Sequence, residues 1–155
     1  MSLTVEYLRL TPAELAHALA DPAWAEDFML DSPRSRRFSK YKAWDALRFL
    51  LARVDFPVDL FRGECEMPGA EPWFSGLPRY LPPDRVALAA ATLAGTTYAD
   101  LIAEVDPAEL DAAEVYPPIW HRPDQLYWPR EWFDGLRTFL LATAESGDAI
   151  VVWRG

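Results

Sequence analysis

A chain of 155 residues, 51% hydrophobic and 14% aromatic, is long enough to bury one self-sufficient core and too apolar to remain unfolded. Its 24 acidic against 15 basic side chains leave a formal charge of −9, the wrong sign for a protein that gains affinity by neutralising phosphates, so nucleic acid is not expected as a partner. The single cysteine, Cys65, excludes an internal disulfide and fits a reducing compartment, and no apolar run approaches the ~20 residues that span a bilayer.

The opening "MSLTVEYLRL" lacks the basic segment and long apolar stretch of a secretory signal, so the expectation is a cytoplasmic protein that does not enter a membrane. Within it, "TVEYLRL" reads as a strand with Val5 and Tyr7 on one face and Leu8 and Leu10 on the other. Thr11-Pro12-Ala13-Glu14 then reads as a helix start: the threonine caps, the proline sits where its missing N–H costs nothing, and the glutamate closes a capping box. Leu15, Ala18 and Leu19 supply that helix's apolar face. The chain breaks at Asp21-Pro22 and restarts as a short helix through Trp24 and Phe28, followed by the polar connector "DSPRSRRFSKYK".

"AWDALRFLLARV" places Trp44, Leu47, Leu51 and Val54 at helical spacing, with Ala43 and Leu50 widening the stripe. From Asp55 to Tyr80 the periodicity dissolves among prolines and glycines. A structureless segment of that length is uncommon in a compact domain, so it is either a functional loop or contains short strands, with "DLFRGE" the best fragment. Helix resumes after Pro82-Pro83 with "DRVALAAATLA" and stops at Gly95. It restarts on capping-box patterns at Thr97–Asp100 and Asp106–Glu109.

The segment "EVYPPIWHRPDQLYWPREWFD" (Glu114–Asp134) is stiffened by proline and reads as extended without being a sheet centre. Its rings can wall a pocket for a planar ligand or lid a core; the core lid is the commoner use. The last helix, "PREWFDGLRTFLLATAES", carries Trp132, Phe133, Leu136, Phe139, Leu140 and Thr143 on one stripe and ends at Gly147. "DAIVVW" is continuously apolar, the mark of a strand buried on both faces. Strands at both chain ends with helices between them define an α+β fold. The expectation is a single compact domain over residues 1–155, with helices packed on a small sheet that includes both terminal strands.

Few residues can carry chemistry. Cys65 lies between Glu64 and Glu66, whose charges raise a thiol pKa and suppress the thiolate. No serine sits in a G-x-S-x-G elbow, and His17 and His121 have no recognisable partners; His121 reads as a hydrogen-bonding group rather than a base. Two isolated histidines and one cysteine do not make a zinc site, and neither a calcium loop, a P-loop nor a G-x-G-x-x-G turn is present, so neither metal nor cofactor is expected. The cluster Arg34, Arg36, Arg37, Lys40 and Lys42 is either an anion or acidic-protein contact or, more commonly, a solvated connector offsetting Asp27, Asp31 and Asp45.

"VEYLRLTPAEL", "KAWDALRFLL", "GE" at Gly63-Glu64, "GLPRYL", "DPAELDAAEVYPPIW" and "ESGDAIVVW", in this order, resemble the YfbM-like bacterial family, and the likeness covers nearly the whole chain. The resemblance implies a compact α+β domain and no established reaction. The chain departs from the family pattern at Tyr41, where an acidic residue is usual, and at Asp45 and Arg48, where histidines are. "GLPRYL" puts Arg79 and Tyr80 just before a helix start, and an arginine there either binds a carboxylate or phosphate through its planar fork or holds the loop by its carbonyls.

Two functions remain open. The first is a non-catalytic binding or interaction protein, immunity- or scaffold-like, with a protein partner. The second is a small-molecule site, possible also for an enzyme, taking an anionic or planar ligand. It would lie between Arg79-Tyr80, the helix of Trp44 and Asp45, and the stretch of Tyr116, Trp120 and His121.

Overall fold

A computed structural model describes residues 4–39 and 42–155; the sequence-selected Lys40 and Tyr41 lie outside them. Strand β1 (Val5–Leu10) leads into helix α1 (Pro12–Ala20), whose start is the capping box anticipated above. Thr11 Oγ1 accepts the Glu14 N–H at 3.2 Å, and the Glu14 carboxylate accepts the Thr11 N–H at 2.8 Å. Asp21 caps α2 (Pro22–Asp31) by accepting the Trp24 N–H. A 3₁₀ turn at Arg34–Arg36 precedes β2 (Arg37–Ser39), and α3 (Trp44–Arg53) follows. Two short strands, β3 (Cys65–Glu66) and β4 (Arg79–Leu81), lead to α4 (Pro83–Ala94). Helices α5 (Tyr98–Ile102) and α6 (Pro107–Ala112) each begin with a closed capping box, Thr97 with Asp100 and Asp106 with Glu109. Helix α7 (Arg130–Glu145) turns at Gly147, whose φ of +70° needs glycine, into β5 (Ala149–Arg154).

The five strands form one antiparallel sheet in the order β2-β1-β5-β4-β3, so the two chain ends pair along its middle. β5 is central and covered on both faces, which is why it reads as an unbroken apolar run. Ile150 and Val152 join Val5, Tyr7 and Leu81 under α3 to α7 in the larger core. Val151 and Trp153 join Leu8 and Leu10 in a second core under α1 and α2. Each of these side chains is 2% exposed or less, and full burial of a residue this size contributes roughly 1.5–3 kcal/mol. Arg9 ties β1 to the start of β5 through Asp148 at 2.7 Å. The α+β fold with both terminal strands in one sheet is therefore as the sequence implies.

Four local readings need correction. The polar connector contains β2, which pairs Arg37, Phe38 and Ser39 with Leu8, Tyr7 and Glu6; only Phe38 faces the larger core, so charged neighbours hide the strand pattern. "DLFRGE" is not a strand. Asp59 Oδ1 accepts the N–H groups of Phe61 and Arg62, each at 3.0 Å, and this folds the segment into a turn. The strands hidden in the irregular region are β3 and β4. Val54 lies past the end of α3 and is 49% exposed, because the chain has already left the helix there. The proline-rich stretch is not extended but a series of turns, with the bonds Ile119 N–H to Pro117 C=O and Arg122 N–H to Ile119 C=O, and with Tyr116-Pro117 cis.

Candidate functional site

Where β3, β4 and β5 part at their ends, the structure opens a cleft of about 560 Å³. Its walls come from chain 61–70, chain 76–79 and the last residues of β5. This volume falls within the range of ligand pockets, roughly 300–1,000 Å³. In a chain of net charge −9, the lining includes three arginines, Arg62, Arg79 and Arg154, and a single carboxylate, Glu66.

Sheet register explains how two of these cations arrive. Across the face of the larger core runs a row Phe38, Tyr7, Val152, Arg79, Glu66, one residue per strand. Arg79 thus stands opposite Val152 and beside Glu66, and two positions separate Val152 from Arg154 on β5, so all share one face. Arg79 donates from Nε to the Gly63 carbonyl at 3.3 Å and makes a long 3.4 Å contact from Nη1 to Glu66 Oε1. The Arg154 guanidinium lies 4.9 Å from the centre of the Trp44 ring, a cation–π contact that fixes its direction. Among the described residues neither Arg62 nor Arg154 has a carboxylate partner.

The loop beside the cleft is tied down by an ion pair and a close backbone approach. Glu64 accepts from Arg85 Nε at 2.6 Å and Arg85 Nη2 at 3.0 Å, a bidentate pair, while Arg85 also reaches the Pro57 carbonyl. The Arg85 hydrogen bonds hold the Glu64 carboxyl below the usual carboxylate range. Beside it Gly63 has φ +82°, and a Cβ there would stand 3.0 Å from Arg79 Cβ and 3.2 Å from the β4 backbone. The dipeptide "GE" is thus a hinge pin between the loop and β4, not a reactive pair.

The remaining sequence-selected residues are distributed as follows. Trp44, 8% exposed, is a core residue beneath Arg154. Asp45 is buried, receives Arg48 Nε at 2.7 Å and accepts the backbone N–H of Tyr116 at 2.8 Å, so these two candidates do meet. Tyr80 points to the opposite face, opposite Cys65 and against the second core; burial, then the neighbouring Cys65, raises its phenol pKa. Trp120 is 1% exposed, donates its indole N–H to Val115 C=O at 2.8 Å and packs against Trp128, so it lids the larger core. The side chain of His121 is 63% exposed, with Asp111 no closer than 4.0 Å. None of Tyr116, Trp120 and His121 lines the cleft that holds Arg79.

Within the basic cluster, Arg36 pairs with Glu14 at 2.7 Å and lies over the Phe28 ring, and Arg37 lies over Trp153, so both serve the fold. Sequence reasoning missed Arg62 and Arg154. The available signal was position: Arg154 immediately follows the apolar run of β5, where a central strand leaves the core at its end.

Proton-transfer chemistry has little to work with here. Among the described residues Glu66 is the only one lining the cleft with a side chain suited to it, and that side chain is 83% exposed. Guanidinium groups on an apolar floor instead recognise oxyanions. Among the described residues no three His, Cys, Asp or Glu side chains gather as a metal site, and no helix is long and apolar enough to cross a membrane.

Helices on both faces of a five-stranded antiparallel sheet, with an arginine-lined cleft at the ends of its strands, define an α+β single-domain protein. The chain belongs to the family described as "Domain of unknown function (DUF1877)", whose model matches residues 1–153. Its fold is similar to that of the Escherichia coli protein of unknown function YfbM, with a TM-score of 0.66 and 15% identity over 96% of this chain and 98% of that one. No curated protein matches the sequence.

Proposed function

We propose that this is a non-catalytic binding protein of the bacterial cytoplasm that engages another protein through the arginine-lined cleft, as an immunity or scaffold protein does. The observation that carries this reading is the pair Arg62 and Arg154. These two guanidinium groups line a cleft and have no carboxylate partner among the described residues. Arg9, Arg36, Arg48, Arg53 and Arg85 each pair with an acid, whereas Arg34, Arg37, Arg122 and Arg137 also lack one among the described residues. What distinguishes Arg62 and Arg154 is that they share the cleft at the end of β5. Cations left unpaired on an acidic protein fit a surface completed by a partner.

Affinity capture from native lysate, with the wild type beside an Arg62→Glu/Arg154→Glu variant, tests the proposal. A stoichiometric protein held by the wild type and released by the variant supports it. Recovery of nothing, or of the same proteins by both, removes it. A second reading, a small anionic or planar ligand, draws support from the cleft's volume. That site would be built around Arg79 and Arg154 rather than Tyr116, Trp120 and His121.

A further inference from the structure

We infer that the partner presents to this cleft an acidic segment that also carries apolar side chains. This rests on the protein-binding reading above and specifies its chemistry. The first support is charge contrast: three guanidinium groups and one carboxylate line the cleft of a chain with net charge −9. Two of the cations are already oriented, Arg154 by the Trp44 ring and Arg79 by the Gly63 carbonyl. A carboxylate that meets a fixed planar fork loses less entropy than one that must order a free side chain.

The second support is the apolar rim. Leu77 lines the cleft and is 60% exposed, and Phe74, in the adjoining turn, is 67% exposed. That turn is rigid. Trp73 N–H donates to Gly76 C=O at 2.8 Å, and Ser75 N–H donates to Arg154 C=O at 3.2 Å, which fastens the turn to the end of β5. Phe74 itself adopts φ +56°, a left-handed conformation costly for a side chain of its kind. A large aromatic held in strain and in solvent, in a turn bonded to Arg154, has the composition of an interface hot spot.

Together these features separate a polypeptide from the alternatives. A small anion would use the arginines and leave Phe74 outside its reach, since Phe74 is not among the cleft-lining residues. A polyphosphate chain carries no apolar side chains and would leave both Phe74 and Leu77 unused.

The test is fluorescence anisotropy with a labelled peptide of alternating Glu and Phe, beside a peptide with Gln in place of every Glu, and with inorganic phosphate and citrate as competitors. Wild type, Arg62→Glu/Arg154→Glu, Phe74→Ser/Leu77→Ser and the remote control Arg130→Glu are compared, each first shown by far-UV circular dichroism and thermal melting to be folded. The acidic peptide should bind the wild type and weaken as salt rises. It should lose about tenfold or more in affinity on the double arginine variant, several-fold on the apolar variant and nothing on the control.

Equal binding of the Gln peptide, or undiminished binding by the arginine variant, overturns the inference. So does binding of phosphate or citrate without the peptide, which would make this a small-anion site. If lysate capture yields an arginine-dependent partner while the acidic peptide fails, the acidic-segment inference falls and the protein-binding reading stands. Arginine-dependent peptide binding with nothing captured supports the cleft chemistry and removes the protein partner. Failure of both removes both.

Discussion

The carboxylate of Asp45 accepts the backbone N–H of Tyr116 at 2.8 Å, joining the first turn of α3 to the loop that brings Trp120 into the core. Its other oxygen takes Arg48 Nη2 at 2.6 Å. Asp45 is 9% exposed, so removing it leaves an amide without an acceptor in a nearly dry place. Asp45→Ala should destabilise by about 2–3 kcal/mol in urea unfolding, whereas Arg48→Ala, on the exposed side of the pair, should cost about 1 kcal/mol or less. Equal costs would mean that the ion pair, not the amide, anchors the loop.

Glu64 and Arg85 make a pH-dependent clamp. The folded-state pKa of Glu64 is lowered, chiefly by the Arg85 hydrogen bonds. A carboxylate so depressed stabilises the fold at pH values above its unfolded pKa, about 4.3, and that stability is lost as pH falls through the lower folded value. Glu64→Gln should therefore be about 1–2 kcal/mol less stable than wild type at pH 7, and the two melting curves should draw together as pH falls past the unfolded pKa and converge only below the folded one. A gap that stays constant with pH would show that charge is not involved.

Tyr7 makes the opposite case. Its ring sits 6.1 Å from Phe38 and 6.4 Å from Phe139, fully buried, and its hydroxyl has no hydrogen-bond partner among the described residues. Burial, followed by the charges of Asp59 and Glu6, pushes the phenol well above its ordinary pKa. Tyr7→Phe should leave stability unchanged or raise it by about 1 kcal/mol, since an unpaired buried hydroxyl contributes only a desolvation penalty. A clear loss in thermal melting would reveal an acceptor for this group.

What the sequence made legible was whatever local chemistry determines. The capping boxes at Thr11, Thr97 and Asp106, the stripe of α7 and the unbroken apolar run of β5 depend on neighbours within a few residues, and all appear in the structure. β2 and β3 were not legible because each has two or three residues and exists through pairing with a distant strand rather than through its own pattern. The site was legible in fragments. Arg79 was found from its turn, and Asp45 and Tyr116 were singled out and do touch, but as an anchor of the core. Arg62 and Arg154 reach the same cleft only because β5 ends beside β4, a relation set by sheet order that no spacing along the chain encodes.

The two positive-φ glycines of the irregular loop separate conformational need from close approach. Gly63 at φ +82° and Gly69 at φ +78° pay the same backbone penalty for any other residue, about 1 kcal/mol. They differ in what surrounds them: a Cβ at Gly69 meets nothing within 4 Å, whereas at Gly63 it stands 3.0 Å from Arg79 Cβ and 3.2 Å from two backbone atoms of β4. Backbone cannot swing aside as a side-chain tip does, so relief requires β4 to move away from the loop. Gly69→Ala should cost about 1 kcal/mol, and Gly63→Ala about 2–3 kcal/mol, in urea unfolding. Because Arg79 is carried on that strand and donates to the Gly63 carbonyl, Gly63→Ala should also weaken binding of the Glu–Phe peptide at the cleft, while Gly69→Ala, a lining position whose added methyl points into open space, should change it less. Equal stability losses for the two variants would place the importance of Gly63 in its dihedral angle alone and remove close packing against β4 as the device that sets the arginine in place.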